Sequence, residues 1–471
     1  AKQLAARSVG IKGIFEPWGT GPSRAECFAA VDVYSKDRQA PYVAEGTTFK
    51  INVVSYGLAL EEAERKEVIE ECFQHVEFKG KVLMDRTRKG VRAGRGPRAD
   101  NQFWYFEDRG TADTGQAHIS RSPPHQVHFC REIALGQRHL LDQYELKKRD
   151  YLCSTSMTAE NSFLVANFAH AAPGKLVFDP FCGSCSLLVS AAHFGAYTMG
   201  GDIDIRVIRG KEKDAPLPSH CRYARTLKDV AIGPLSNFDQ YGLMRPLDIV
   251  RCDNANPVWR TPAVFDAVVG DPPYGVRAGA RKTGSSKTAK PIPEEHRATH
   301  IPGTVPYEVK DVLIDLLDFA AKFLRTGGRL VYWVPTTTDY SQDDLPQHPS
   351  MRLLYDCEEV LSLRLSRRLI TMHKVKELEE GERATCKMSE AGLEPAHDRF
   401  ADKYYGLDGP RGEEGEDGED GGKKKRRKEK KQKPGSGGQE AVSPKDEGGG
   451  TVEGPGDEDT KAAASVGGEQ E

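Results

Sequence analysis

The 471-residue sequence contains no apolar run approaching the roughly 18 residues that a membrane-spanning helix needs, which points to a soluble chain. It also lacks a secretory-type segment, and its ten cysteines fall at irregular positions. That pattern excludes a small disulfide-stapled fold and predicts free thiols in a reducing, cytoplasmic compartment. His118, His125, His128 and His139 show no metal-binding spacing, and no metal is expected. The chain opens on Ala1 rather than Met, so its first domain is expected to lack its start. What the sequence does have, 38% apolar residues, can build two or three ordinary cores once the tail is set aside.

The net charge of −3 conceals a division. From Gly409 to Glu471, 12 Lys and Arg stand against 16 Asp and Glu, so this segment carries −4 and the remainder about +1. No aromatic follows Tyr405, and three valines are the tail's sizeable apolar groups. Such a segment cannot bury enough surface to offset chain entropy, and a disordered tail is predicted over 409–471. Inside it, GEEGEDGED precedes KKKRRKEKKQK, a block suited to self-pairing, to RNA contact or to an import receptor.

Two ordered regions precede the tail. In the first, residues 1–135, FKINVVSY reads as a strand and EEAERKEVIEECFQH as a helix, with KVLM and QFWYFED as further strands of a small α+β unit. The basic loop RKGVRAGRGPR between those strands suits phosphate contact, or is an ordinary solvated loop. Residues 136–153 read as a connector helix. In the second region, 154–400, the apolar runs KLVFD, AYTMGGDID, LDIVRCD, FDAVVGD and RLVYWV alternate with helical patterns. Continuous apolar strands buried on both faces predict an α/β fold, a Rossmann-like doubly wound sheet whose ligands sit beyond the strands' carboxyl ends.

Three of those ends carry chemistry. DPFCGSCS, from Asp179 to Ser186, is a strand running into a glycine-containing turn and an apolar helix, a place where backbone can approach a ligand. GDID places Asp202 and Asp204 about one βα unit later, where a carboxylate can accept both hydroxyls of a ribose. DPPYG follows the third strand at Asp271 to Gly275. Pro272 and Pro273 have no N–H to donate and hold the chain extended, leaving carbonyls as acceptors. An exocyclic amine on a nucleic-acid base needs such acceptors, because its lone pair is delocalised into the ring. Bonds from its protons to Asp271 and the Pro272 carbonyl would localise that pair toward a methyl donor, while Tyr274 stacks on the base.

DPPYGVRAGARKTG, DPFCGS, AHFGAYTMGGDID, KKRDYLCSTSM, GGRLVYWVP and SRRLITMHKV together resemble the catalytic subunits of the eukaryotic tRNA (guanine-10-N2)-methyltransferases. The resemblance extends from about Gln137 to Val375, with a weaker likeness of the first region to a THUMP-type RNA-binding domain. It implies S-adenosyl-L-methionine (AdoMet) as donor and a tRNA guanosine N2 as acceptor. It also implies catalysis by Asp271, Pro272, Pro273 and Tyr274, and an AdoMet loop containing Asp179, Phe181 and Gly183. Asp202 or Asp204 is then expected at the ribose, Asp253 near the adenine, and Thr155 and Ser156 at the amino-acid end. A small zinc-binding activator subunit, docked along a sheet edge, is implied as partner. Read without the family, Asp253 merely closes a strand, and Thr155 and Ser156 look like a helix cap.

The chain departs from the family in two places. Cys185 stands where the AdoMet loop has its second glycine, so strain at positive φ or crowding of the cofactor is expected, and with it a weak paralogue as the alternative. The acidic residue expected after Thr-Ser-Met is displaced to Glu160. The spacing Cys182-Gly-Ser-Cys185 also fits a dithiol redox centre, a rival enzyme class that leaves GDID and DPPYG unexplained. DPPY occurs in adenine-N6 methyltransferases as well. Arg277, Arg281, Lys282, Arg367 and Arg368 are candidates for RNA phosphate contact near the cleft, or ordinary solvated charges.

Overall fold

Aromatic and β-branched residues alternating through the first region build a five-stranded sheet. The computed structural model describes residues 1–57, 59–83, 98–109, 124–212, 221–222, 230–260, 263–276, 279–285, 292–297, 300–386 and 395–405. The readings of the basic loop at 88–98, apart from its last residue, and of the tail at 409–471 lie outside them, as do His118 and Arg277.

The sheet comprises β1 (Gly13–Gly21), β2 (Thr48–Tyr56), β3 (Lys81–Val82), β4 (Asn101–Asp108) and β5 (Gln126–Leu135) in the order β1-β5-β4-β2-β3. Helices α1 (Lys2–Ala5), α2 (Arg24–Val33), α3 (Lys36–Val43) and α4 (Glu62–His75) accompany it. Ser23 caps α2 by accepting the Glu26 N–H at 3.3 Å. Phe28 and Val31 of α2 and Val68 and Cys72 of α4 join Trp18, Phe49, Phe103, Tyr105 and Phe129 in one buried aromatic core. The sequence pattern foresees β2, β4 and α4 but not β1 and β5, whose polar outer positions interrupt the apolar run. Residues before β1 belong physically to the second region. Val9 is buried in its core, and Arg7 donates to Asn167 Oδ1 (3.0 Å) and the Ala171 carbonyl (2.8 Å).

The connector is less helical than expected. Only α5 (His139–Gln143) and a 3₁₀ turn at Leu146–Lys148 form. The chain turns at Tyr144 because that ring is buried, its hydroxyl 2.9 Å from His193 Nδ1.

Beyond it come β6 (Leu152–Cys153), α6 (Ala159–Phe168), β7 (Leu176–Asp179), α7 (Ser186–His193), β8 (Tyr197–Asp202), α8 (Ile205–Arg209) and β9 (Cys221–Arg222). These are followed by α9 (Pro234–Gln240), β10 (Ile249–Arg251), β11 (Phe265–Gly270), β12 (Arg281–Thr283), α10 (Glu294–Arg297) and β13 (Thr304–Pro306). The region closes with α11 (Val309–Phe323), β14 (Leu324–Thr337), β15 (Met351–Val360), β16 (Leu365–Lys374) and α12 (Ala396–Tyr405). The seven-stranded sheet has the order β10-β8-β7-β11-β14-β16-β15. Strands β10, β8, β7, β11 and β14 run parallel; β16 and β15 are antiparallel additions.

Apolar cores form on both faces of the sheet, as the continuous runs predict. α6 and α7 cover one face with Phe163, Leu187, Leu188 and Val189, and α11 covers the other with Leu313, Leu316, Leu317, Ala320 and Phe323. Three parallel strands, β7, β8 and β11, deliver Asp179, Asp202 and Asp271 to the same carboxyl-terminal side.

Candidate active site

Beyond those strand ends lies a cleft of about 850 Å³, within the usual range of small-molecule sites. Its wall contains Thr155, Ser156, Phe181, Gly183, Asp202, Asp204 and Asp253, together with Asp271, Pro272, Pro273 and Tyr274. The three motifs, separated by up to about ninety residues in sequence, therefore meet in one place. Asp179 does not line it. That side chain is buried beneath the wall, where Oδ1 accepts the Phe181 N–H at 2.9 Å, and burial raises its pKa well above the usual carboxylate value. Asp179 thus shapes the turn rather than presenting its carboxyl to a ligand.

The loop after β7 is held from several sides. Gly183 has φ +50°, and a Cβ placed on it would meet nothing nearer than the Phe181 carbonyl at 3.9 Å, so its backbone is open to a ligand. Its N–H donates to Asp202 Oδ2 (3.0 Å), while Asp202 Oδ1 accepts the Asp204 N–H (2.8 Å). Burial pushes Asp202 up to about 6. Asp204 is the cap of α8, accepting the Arg206 N–H and pairing with its guanidinium at 2.7 Å. Ser156 Oγ lies 2.6 Å from Ser184 Oγ and accepts the Cys153 N–H, tying the 153–156 turn to the loop. Asn237 reinforces this link by donating to the carbonyls of Tyr151 and Ser184. The Asp253 carboxylate accepts the N–H groups of Ala255 (3.0 Å) and Thr283 (2.7 Å), so it orders its own turn and anchors β12.

Cys185 does occupy the left-handed region, at φ 63° and ψ 30°, and the strain expected there is present. Crowding is not. Its side chain is fully buried in the α7 core and absent from the cleft wall. Cys182, also buried, has its thiol driven far above the ordinary value by hydrogen bonding with Cys185 and by burial. A redox dithiol needs the opposite shift, which removes the physical support for the rival enzyme class.

At the third strand end, the Tyr274 hydroxyl donates to Asp271 Oδ1 at 2.6 Å. Burial raises Asp271 to about 6, and Tyr274 is raised well above its ordinary value by burial and by the Asp271 charge. Arg367, a candidate for phosphate contact or an ordinary solvated charge, is part of the cleft wall. It pairs with Glu359 at 2.7 Å, stacks 4.4 Å from the Trp333 ring centre, and its charge favours ionised Asp271. Arg368 points to the opposite face of β16, as strand alternation requires. There it pairs with Asp356 (2.9 Å) and Glu358 (3.4 Å) and stacks on Tyr340, outside the cleft. Arg281 lines the cleft with its guanidinium held by Thr304, while the Lys282 ammonium sits 4.5 Å over the Tyr307 ring and away from the wall.

Two parts of the wall escape the motif reading. Phe400 and Tyr404 come from α12, which runs across the expected domain limit at residue 400, and the Phe400 ring meets Tyr274 edge-on at 6.0 Å. The alternation of apolar and charged residues in AHDRFADKYY was the available signal. Leu361, Ser362 and Leu365 come from the β15–β16 turn. Among the described residues there is no cluster of three or more potential metal ligands, and no helix is long and apolar enough to cross a membrane.

Comparison with known proteins agrees with this geometry. Residues 1–138 match the family model for the Tmrp11 THUMP N-terminal domain, and residues 147–297 match the RMKL-like methyltransferase domain. The tRNA (guanine(10)-N(2))-methyltransferase TRMT11 of Gallus gallus is 36% identical over 86% of this chain and 84% of its own. That of Homo sapiens is 35% identical over 86% of this chain and 84% of its own, and that of Dictyostelium discoideum 38% over 80% and 70%. A solved structure, TrmN from Thermus thermophilus, is 16% identical, covers 76% of this chain and 82% of its own, and superposes with a TM-score of 0.32. On the sequence relationships alone, this chain belongs to the TRMT11 family of tRNA (guanine(10)-N(2))-methyltransferases.

Proposed function

We propose that this protein methylates the exocyclic N2 of a tRNA guanosine, position 10 in its relatives' names, with AdoMet as donor. The observation that carries the reading is the meeting of the Gly183 loop, the Asp202 strand end and the Asp271-Pro-Pro-Tyr segment around one cleft. The residues fit the donor. Gly183 leaves its backbone uncovered, Asp202 and Asp204 supply carboxylates where ribose hydroxyls are read in doubly wound folds, and Thr155, Ser156 and Asp253 add polar groups along the wall. Bound there, AdoMet supplies a methyl group made electrophilic by its positively charged sulfur.

The protein's own part is orientation and proton acceptance. Ionised Asp271 and the Pro272 carbonyl would accept hydrogen bonds from the two amine N–H groups, turning the nitrogen lone pair toward the methyl carbon. When the nitrogen gains the methyl group and the broken S–CH3 bond leaves its electron pair on sulfur, the amine would become positively charged, and the Asp271 carboxylate would take the proton it then sheds. The Tyr274–Asp271 hydrogen bond and the nearby Arg367 hold that carboxylate in place before substrate arrives. Cys185 does not oppose this role, since the residues of its turn that face the cleft are Pro180, Phe181 and Gly183.

The same reading includes a small zinc-binding activator subunit. The edge strand β10 supports it, because Met244 and Leu247 just before it are 46% and 62% exposed. A cytoplasmic location is also proposed; nine of the ten cysteines, Cys221 aside, are free thiols. The test is incubation of the full chain, co-expressed with such a subunit, with labelled AdoMet and unmodified tRNA, followed by nucleoside analysis. N2-methylguanosine is expected. N6-methyladenosine, or no methylated nucleoside, overturns the proposal.

A further inference from the structure

The turn joining β15 to β16 carries three large apolar side chains into solvent at the rim of the catalytic cleft. Val360, Leu361 and Leu363 are 70%, 48% and 97% exposed, and no large hydrophobic residue among those described is more exposed than Leu363. The turn is well built. Leu361 and Ser362 donate their N–H groups to the Leu365 carbonyl at 3.0 and 2.9 Å, and Ser362 Oγ accepts the N–H groups of Arg364 and Leu365. Leu361 faces the same cleft as Asp271, while Arg364 stands exposed beside Leu363.

Those facts meet a steric requirement of the reaction. The amino group of a stacked, paired guanine lies on the minor-groove edge and is committed to its partner base. Asp271 and Pro272 sit inside a cleft, so the guanosine must leave its stack to reach them. We propose that Leu363 is the wedge that enters the RNA stack and fills the space vacated by the target guanosine, with Leu361 guiding the extruded base inward. This rests on the function proposed above. Apolar side chains inserted between bases compensate for lost stacking, and a rigid turn delivers one without prior ordering. The position favours RNA over a protein partner. β15 is one edge of the sheet and β10, where the subunit is proposed to dock, is the other.

The test compares wild type, Leu363→Ala and Leu363→Phe, prepared as in the assay above, on two transcripts. One is folded tRNA; in the other the base opposite the target guanosine is changed so that it cannot pair. Leu363→Ala is expected to lose about tenfold or more in kcat/KM on folded tRNA, to stay within about twofold of wild type on the unpaired transcript, and to be rescued by Leu363→Phe. A second readout needs no methyl transfer. Fluorescence of 2-aminopurine placed at the target position should rise on binding wild type and rise far less with Leu363→Ala. An equal rise in both, no rise in either, or equal loss on both transcripts overturns the wedge. So does failure of Leu363→Asp to co-purify with the activator subunit, which would make the turn a protein contact. Because the fluorescence reads extrusion alone, it decides the wedge even if wild type forms no N2-methylguanosine.

Discussion

The two sheets treat buried carboxylates in opposite ways. In the amino-terminal sheet, Glu107 is almost wholly buried and paired with Arg109, with the Tyr105 hydroxyl donating to it at 3.0 Å. Glu132, also buried, pairs with Arg98 and accepts the Trp104 indole N–H at 2.9 Å. In the seven-stranded sheet, Asp179, Asp202 and Asp271 end three neighbouring strands, and among the described residues no salt bridge reaches any of them. Their partners are backbone N–H groups and one tyrosine hydroxyl, and burial raises all three pKa values. An acid balanced by a cation within the fold serves the fold; Asp202 and Asp271, without a salt bridge at the cleft wall, are available to a ligand, whereas Asp179 beneath the wall shapes its turn.

Removing an acid from each sheet should sharpen that contrast. Asp271→Ala takes away the acceptor that orients the amine and receives its proton. Its kcat/KM should fall by about a hundred- to ten-thousand-fold, with the melting temperature unchanged or higher and AdoMet affinity retained, as measured by tRNA methylation, calorimetry and titration. Full activity in that variant would end the proposed mechanism. Glu107→Ala should do the reverse. It removes a buried carboxylate with which Arg109 and, at 4.0 Å, Arg24 pair, so stability should drop by about 3 kcal/mol in denaturant titration, while kcat at permissive temperature is kept.

The pH dependence tests Asp271 directly. Methyl transfer needs Asp271 ionised, and its pKa is raised to about 6. At saturating AdoMet, kcat/KM for tRNA should therefore fall about tenfold per unit as pH drops below 6. The stability effect has the other sign. A carboxyl whose folded pKa is raised contributes most below its ordinary unfolded value, and that contribution is lost as pH rises through the folded value. Asp271→Asn should accordingly raise the melting temperature at pH 8 and leave it nearly unchanged at pH 4, where both forms are neutral. A melting temperature that drops equally at both pH values would show that the raised pKa does not govern Asp271.

Much of this was legible in sequence where one physical signal dominates. β7, β8, β11 and β14 are continuous apolar runs, and each of the first three ends in the aspartate that the motif reading picks out. The β15–β16 pair was not legible. SRRLITMHKV contributes to the family resemblance, but its charges hide a strand until β15 supplies Glu359 opposite Arg367, and Asp356 and Glu358 for Arg368. Two adjacent arginines then acquire different surroundings, one at the cleft and one behind the sheet, which composition cannot distinguish. Phe400 and Tyr404 were missed for a related reason. Their helix has only a narrow apolar face, and what that face meets, the Tyr274 ring, lies more than a hundred residues earlier in the chain.

Cys185 marks the limit of reasoning from a family pattern, because the same substitution bears on two quantities that only the structure separates. The left-handed conformation at φ 63° costs a non-glycine residue about 1 kcal/mol, which Cys185→Gly would recover. Against that, glycine forfeits the burial of a fully enclosed side chain, also about 1 kcal/mol, and adds freedom to the unfolded chain. The first two effects nearly cancel, so the added freedom sets the sign and Cys185→Gly should destabilise by no more than about 1 kcal/mol. AdoMet affinity should stay within about twofold, because the cleft wall does not include this side chain. Cys185→Val, by contrast, forces a β-branched residue into the left-handed region and should destabilise by about 2 kcal/mol or more. A large gain in AdoMet affinity on restoring glycine would mean that the loop does change shape around the cofactor, and that the strain at Cys185 is transmitted to Gly183 after all.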